Sequence, residues 1–179
     1  PLMLAALFNA NAAGLFILVN RVLAIPMRML GDAIGQVFFV NAAEAHRENR
    51  LAPLVKKVHQ KLAHIAMAPT LILIIAGPEL FSIIFGPTWN QAGIFARWLA
   101  PWMYIVSMTS PFSPLFYILE RQKRHLWFHA LLLLVQVGAI VMGSLTENLM
   151  TTIALYSTGT TLCVTGFLVM IIFMSGNGW

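Results

Sequence analysis

Three ionisable side chains lie inside the longest apolar stretch of the chain, residues 13–40: Arg21, Arg28 and Asp32. A stretch this long and this apolar predicts a membrane-spanning helix. An ionisable group at membrane depth costs roughly 2.5–3.5 kcal/mol on insertion scales, so it normally faces a bundle interior or a water-filled cavity. The three residues therefore indicate a polar pathway through the membrane.

Helical geometry places these residues close together around the helix axis. At about 100° per residue, Arg28 and Asp32 lie about 20° to either side of Arg21, and Gln36 lies about 60° away. The helix is thus expected to carry one polar face, on which Arg21 and Asp32 are about 16 Å apart along the axis. Arg28 and Asp32, four residues apart, either neutralise each other or act with Arg21. Arg21 stays an unpaired cation in both cases.

Prolines mark candidate bends in two segments. Pro26 lies inside the polar stripe and removes a backbone hydrogen bond, so a kink there would turn carbonyl groups toward the polar face. Pro101, Pro111 and Pro114 interrupt residues 93–119, with serine and threonine residues between them. Such an irregular helix is typical both of hinges that line a transporter cavity and of ordinary close helix packing.

Arg97 is a further candidate, near the expected outer end of the same segment. It adjoins Trp98 and lies near Trp102, and tryptophan prefers the membrane interface. Two interpretations stay open: Arg97 is either a snorkelling side chain in an aromatic belt or a cation at the outer mouth of a cavity.

Composition places the chain among all-α polytopic membrane proteins. Hydrophobic residues make up 59% of it and charged residues only 9%, against about 25% in soluble domains. The hydropathy pattern predicts a stub at 1–8, the tail of a preceding span in a longer protein, and then five membrane spans. We expect these spans at 13–40, 65–85, 93–119, 126–143 and 150–174. The polar segment 41–64 is expected to form a short amphipathic helix on the membrane surface.

The positive charges predict the orientation. Eight of the eleven lysines and arginines lie in two segments, 41–64 and 120–125, whereas the connections 86–92 and 144–148 hold none. Basic connections are usually cytoplasmic, so the C-terminus is expected in the cytoplasm of a bacterial cell, with the chain in its inner membrane. Because these charges lie at membrane exits, topology and anionic lipid headgroups explain them, and nucleic acid is not expected as a partner.

The motifs of common enzyme chemistry are missing from the sequence. It contains no glycine-rich phosphate loop, no Gly-x-Ser-x-Gly and no HExxH. His125 and His129 have the spacing of a metal-binding pair, but no third ligand lies near them in the sequence. We therefore expect neither enzymatic activity nor a metal or other cofactor.

Three stretches of the sequence resemble a known family. They are AAGLFILVNRVLAIPMRMLGDAIGQVFF, LFSIIFGPTWNQAGIFARWLAPW and PFSPLFYILERQ. Together they resemble the later half of oligosaccharide-lipid flippases, in the polysaccharide exporter branch of the multidrug/oligosaccharidyl-lipid/polysaccharide superfamily. The residues that best mark the resemblance are Gly14, Arg21, Pro26, Gln36, Phe85, Gly86, Trp89, Ala92 and Gly93.

The resemblance implies two six-helix lobes that face each other in a V, with this chain supplying most of the second lobe. The missing N-terminal lobe would be a partner, together with membrane lipids and the substrate. It also implies that undecaprenyl-diphosphate-linked sugar units cross to the outer leaflet by alternating access, for surface polysaccharide or O-antigen lipopolysaccharide. Arg21 matches a basic residue that related flippases direct into their central cavity, whereas Arg28 and Asp32 have no equally firm counterpart.

Two other functions are compatible with parts of this pattern. A multidrug or cation antiporter of the same superfamily would need an uncompensated carboxylate at membrane depth, but Arg21, Arg28 and Asp32 sum to a net cation. A membrane enzyme of glycan assembly would need an acid, base or nucleophile in a sizeable outer loop, and the predicted outer loops are short. Anionic cargo therefore fits the sequence better than either alternative.

Overall fold

A computed structural model describes residues 2–8, 10–48 and 50–176, with the side chains of Pro26, Arg28, Leu30 and Gly176 outside the description. Within these ranges the chain is helical, with no β-strand. Its α-helices are α1 (Leu2–Leu7), α2 (Ala10–Arg47), α3 (Leu51–Phe85), α4 (Asn90–Thr109), α5 (Leu115–Ile118), α6 (Gln122–Ser144) and α7 (Leu149–Gly176). Short 3₁₀ turns cover Pro87–Trp89 and Ser110–Phe112.

Helix α4 lies at the centre of the bundle and packs against α2, α3 and α7, while α6 packs mainly on α7. Its inward side chains are large and apolar, and Phe95 and Leu99 have no exposed surface. Around them lies a first core of buried side chains from α1, α2, α3, α6 and α7. A second core gathers buried residues at the opposite end of α4, including Phe38, Phe112 and Phe167.

Three helices of the described part of the chain are long and apolar enough to cross a membrane: α3, α6 and α7. The first part of α2, Ala10–Ile25, is a shorter apolar helix. The expected all-α membrane class is thereby confirmed. The predicted spans 126–143 and 150–174 lie within α6 and α7, and the crossing of the membrane by α2 and α4 stays a prediction.

Segment 41–64 differs from the prediction. Helix α2 continues to Arg47, and residues 51–64 are the first part of α3 rather than a separate surface helix. The amphipathic pattern is present, because Val55 and Leu62 are buried while Lys56 and Lys61 are exposed. Its apolar side packs into the second core instead of resting on a lipid surface.

Residues 93–119 also differ from the prediction of one span. Helix α4 ends at Thr109, the chain makes a 3₁₀ turn, and α5 is a single turn of helix. Pro111 lies in the turn and Pro114 directly precedes α5. Proline lacks the amide hydrogen that would continue the helical hydrogen bonds, and it disfavours the helical conformation of the residue before it, so the break falls where these residues are.

Candidate functional site

The predicted polar stripe lies on the exposed face of α2. Arg21, Asp32 and Gln36 share one side of the helix, as predicted, and all three are exposed. Phe16 and Val19, on the other side of the helix, are buried in the first core. The stripe therefore points away from the helices of this chain, and the chain encloses none of its three described members.

Close contacts with the turn after α4 fix which side of α2 faces outward. A methyl group placed on Gly31 would lie 2.6 Å from Ser110 Oγ, and one on Gly35 would lie 3.5 Å from Pro111 Cα. Small residues four apart allow a helix to approach its neighbour this closely. The edge of α2 beside the stripe is thus packed against the protein, which leaves Asp32 and Gln36 facing outward.

Neither charged member of the described stripe has a partner among the described residues. No hydrogen bond or ion pair joins Arg21 or Asp32 to any side chain there. The side chain of Arg28 lies outside the described residues, so its predicted pairing with Asp32 stays a prediction. Arg21 is accordingly a cation on a predicted membrane helix with no counter-ion in the described part of this chain.

The polar face predicted on α2 also carries apolar side chains. Ile17, Ile25 and Met29 are exposed on the same side of the helix as Arg21 and Asp32. The charged groups therefore form a line within a largely apolar surface. Such a surface is suited to contact with groups that are both polar and apolar.

Arg97 bonds to a neighbouring helix instead of pointing into a cavity of this chain. Its Nη2 atom donates a hydrogen bond to the carbonyl oxygen of Ile75 in α3, at 2.9 Å. The same nitrogen lies 3.9 Å from Glu79 Oε2, which is an ion pair at the edge of the usual range. Arg97 Nε is buried and has no partner among the described residues. Neither interpretation from the sequence included this contact, which joins α4 to α3.

The carbonyl group that Arg97 binds lies beside a kink in α3. Ala76, two residues before Pro78, has a non-helical backbone with φ −117° and ψ 18°. Pro78 cannot donate a hydrogen bond to Ile74, and its ring displaces the preceding turn, so the helix bends there. The guanidinium group of Arg97 donates to the carbonyl oxygen of Ile75, one residue before the non-helical Ala76, so this bond joins α4 to α3 at the bend.

Two glycines allow α3 and α4 to meet beside the kink. A methyl group on Gly77 would lie 2.8 Å from the carbonyl oxygen of Gly93, and one on Gly93 would collide with the backbone of Gly77 and Pro78. Glycine at both positions is the sequence signal for this contact, although only Gly93 stood out in the sequence. The kink and the glycine contact together set the distance over which Arg97 reaches α3.

The other predicted hinge residues have different surroundings. Pro101 lies inside α4 and is exposed, whereas Pro111 is buried in the 3₁₀ turn and Pro114 precedes α5. The side chain of Pro26 lies outside the described residues. The bend with non-helical backbone angles is therefore at Ala76 and Pro78, and the proposed hinge roles of the other prolines stay predictions.

Comparison with known proteins gives one family. A family model described as polysaccharide biosynthesis protein matches residues 1–93, which is just over half of the chain. The matched part contains the stripe on α2 and both glycines of the α3–α4 contact, and it ends before Arg97. Searches among curated proteins and among solved structures found no match to the chain.

Proposed function

We propose that this chain, which belongs to the polysaccharide biosynthesis protein family, moves lipid-linked oligosaccharides across a membrane. Membership of this family supports a role in polysaccharide synthesis or export, and the long apolar helices support a location in a membrane. The finer proposal is a flippase that carries an undecaprenyl-diphosphate-linked oligosaccharide across the bacterial inner membrane. The process is transport and involves no covalent chemistry by the protein.

The observation that carries this proposal is Arg21. It is an exposed arginine on a predicted membrane helix, and the described residues provide no anion to neutralise it. Keeping such a cation at membrane depth costs roughly 2.5–3.5 kcal/mol, so we expect it to have a partner in the working protein. A negatively charged cargo is the partner that the proposal assigns to it.

The diphosphate of the cargo explains why a cation would be needed. Transferring a desolvated anion into about 30 Å of hydrocarbon is prohibitive, because no hydrogen-bonding partner is available there. A hydrated groove lined by Arg21, with Arg28 assisting and Gln36 offering an amide, would lower that barrier while the polyprenyl chain stays in lipid. The apolar residues beside Arg21 would contact the chain or the opposing helices.

Alternating access would then expose the groove to each side of the membrane in turn. We expect a second six-helix lobe opposite the exposed face of α2, and rocking of the two lobes would open the groove inward and outward. The orientation we propose places the basic segments 41–64 and 120–125 and the C-terminus in the cytoplasm. The positive charges would then lie on the side where the cargo is loaded.

Substitution of Arg21 tests the proposal in cells that depend on this protein for surface glycan. Arg21→Ala should strongly lower surface glycan, and Arg21→Lys should retain part of it because the charge remains while the planar guanidinium is lost. Arg47→Ala is the matched control: it removes an exposed arginine from the last turn of the same helix. Membrane levels of every variant are measured alongside. Full glycan in Arg21→Ala at normal protein level would refute a required role for this cation.

A further inference from the structure

A cavity of about 220 Å³ lies between α5 and the first two turns of α6. The residues that line it are Phe116, Tyr117, Gln122, His125, Leu126 and His129. Gln122, His125 and His129 follow one another at spacings of three and four, so they share one face of α6. The cavity is therefore an apolar recess with an amide and two imidazoles along one wall.

The two imidazoles have unused hydrogen-bonding capacity. His129 Nδ1 donates to the carbonyl oxygen of His125 at 2.9 Å, which leaves its Nε2 atom available to a ligand. His125 Nε2 is buried and has no hydrogen-bond partner among the described residues. Buried polar atoms are nearly always bonded in folded proteins, so an unpartnered imidazole beside a cavity indicates a missing partner.

The position of the cavity indicates what that partner is. Helix α6 is long and apolar enough to cross a membrane and begins at Gln122, so its first turns lie near the membrane surface. Tyr117 and Trp127, which are 63% and 76% exposed, are aromatic residues of the kind that prefer this depth. Lys123 and Arg124 are exposed beside them, and each such cation attracts anionic lipid by about 1 kcal/mol.

We propose that this cavity binds the phosphate ester of an anionic membrane lipid. Lys123 and Arg124 draw the headgroup toward the membrane exit, and the amide of Gln122 donates to a phosphate oxygen. The N–H at Nε2 of His125 donates to a second phosphate oxygen, which gives this buried atom the partner that it lacks. The cavity is smaller than the roughly 300 Å³ at which drug-sized sites begin, so it holds the headgroup while the lipid chains lie along α6.

The site is separate from the stripe on α2 and does not depend on the proposed transport function. Its ligand chemistry has two sources in a bacterial membrane, the phosphodiester of a phospholipid and the phosphate of a polyprenyl lipid. Diethylpyrocarbonate modifies exposed imidazoles, so the modification rate of His129, measured by mass spectrometry, reports whether the cavity is filled. His64 on α3 is a matched control, because its exposed ring also has Nδ1 on the carbonyl four residues back.

The full-length protein is placed in phosphatidylcholine nanodiscs, alone or with phosphatidylglycerol, undecaprenyl phosphate or free inorganic phosphate. At a lipid level ten times the Kd, mass action predicts that modification of His129 slows about tenfold. His64 should react at one rate throughout. Protection by either lipid supports the site and identifies the source. No protection by either lipid, equal protection by inorganic phosphate, or equal slowing at His64 would overturn it.

Variants separate a site from diffuse surface charge. Gln122→Leu preserves much of the side-chain volume but removes the amide, so it should abolish most of the protection of His129. Lys56→Gln, which removes an exposed lysine from α3, should leave protection unchanged. A far-UV circular dichroism spectrum equal to that of the parent protein shows that each variant keeps its helices. Protection that survives Gln122→Leu and disappears in Lys123→Gln would assign the effect to surface charge and overturn the cavity site.

Discussion

Replacing Gly93 with alanine should destabilise the protein, because the added methyl group has no room between α3 and α4. It would lie 2.5 Å from the carbonyl oxygen of Gly77 and 2.7 Å from the nitrogen of Pro78, whereas ordinary contacts begin at 3.4 Å. Both atoms belong to the backbone, so no side chain can rotate away. The two helices would have to separate by about 1 Å along this line.

Two costs and one gain set the size of the effect. Overpacking of this kind typically costs about 1–3 kcal/mol. Separation of the helices also stretches the 2.9 Å hydrogen bond from Arg97 to Ile75, and a bond to a charged group contributes roughly 1.5–3 kcal/mol. Alanine recovers about 1 kcal/mol of helix propensity. Together these terms give a net loss of unfolding free energy of about 1.5–5 kcal/mol.

Reversible unfolding in mixed micelles, followed by circular dichroism, measures this loss. Gly138→Ala is the control, because the same change in α6 meets no atom within 4 Å and should stabilise the protein by about 0.5–1 kcal/mol. Gly77→Ala, whose methyl group would lie 2.8 Å from the carbonyl oxygen of Gly93, should destabilise the protein as Gly93→Ala does. If Gly93→Ala proved as stable as Gly138→Ala, the close approach of α3 and α4 would be refuted.

The remaining predictions concern Arg97 and Asp32. Arg97→Met should lower the unfolding free energy by about 1.5–3 kcal/mol, because it removes the charged donor to the carbonyl oxygen of Ile75. Glu79→Gln should cost less than about 1 kcal/mol, since the two side chains are partly exposed and 3.9 Å apart. The same unfolding assay measures both variants. A larger loss of unfolding free energy in Glu79→Gln than in Arg97→Met would show that the ion pair stabilises the protein more than the hydrogen bond to Ile75 does. Asp32→Asn should leave surface glycan near the wild-type level, because an anionic cargo needs no carboxylate at membrane depth. Loss of glycan with normal amounts of protein would instead favour coupling to a proton or cation at Asp32.

The positions of some helices could be predicted from the sequence, because the local pattern of apolar and polar residues determines them. The spans 126–143 and 150–174 lie close to the bounds of α6 and α7, because long apolar runs between polar turns leave little choice. The position of Arg21, Asp32 and Gln36 on one side of α2 also follows from the helical repeat. Each of these results depends only on residues within a few turns of one another.

Contacts between distant residues could not be predicted in the same way. Residues 51–64 show an amphipathic pattern whether their apolar side meets lipid or protein, and only the second core decides that it meets protein. The break after Thr109 was marked by Pro111 and Pro114, but proline bends some helices and ends others, and the local sequence is compatible with both.

The sequence by itself determined that this is an all-helical membrane protein and that Arg21 lies on the same side of its helix as Asp32 and Gln36, because apolar runs and the helical repeat are local properties. Only the tertiary structure decided that Arg97 binds the carbonyl of Ile75, 22 residues away. That contact requires a kink in one helix and glycine backbones close enough for a side chain of the next helix to reach it. Such an arrangement depends on the packing distance between two helices, which no pattern along either one contains.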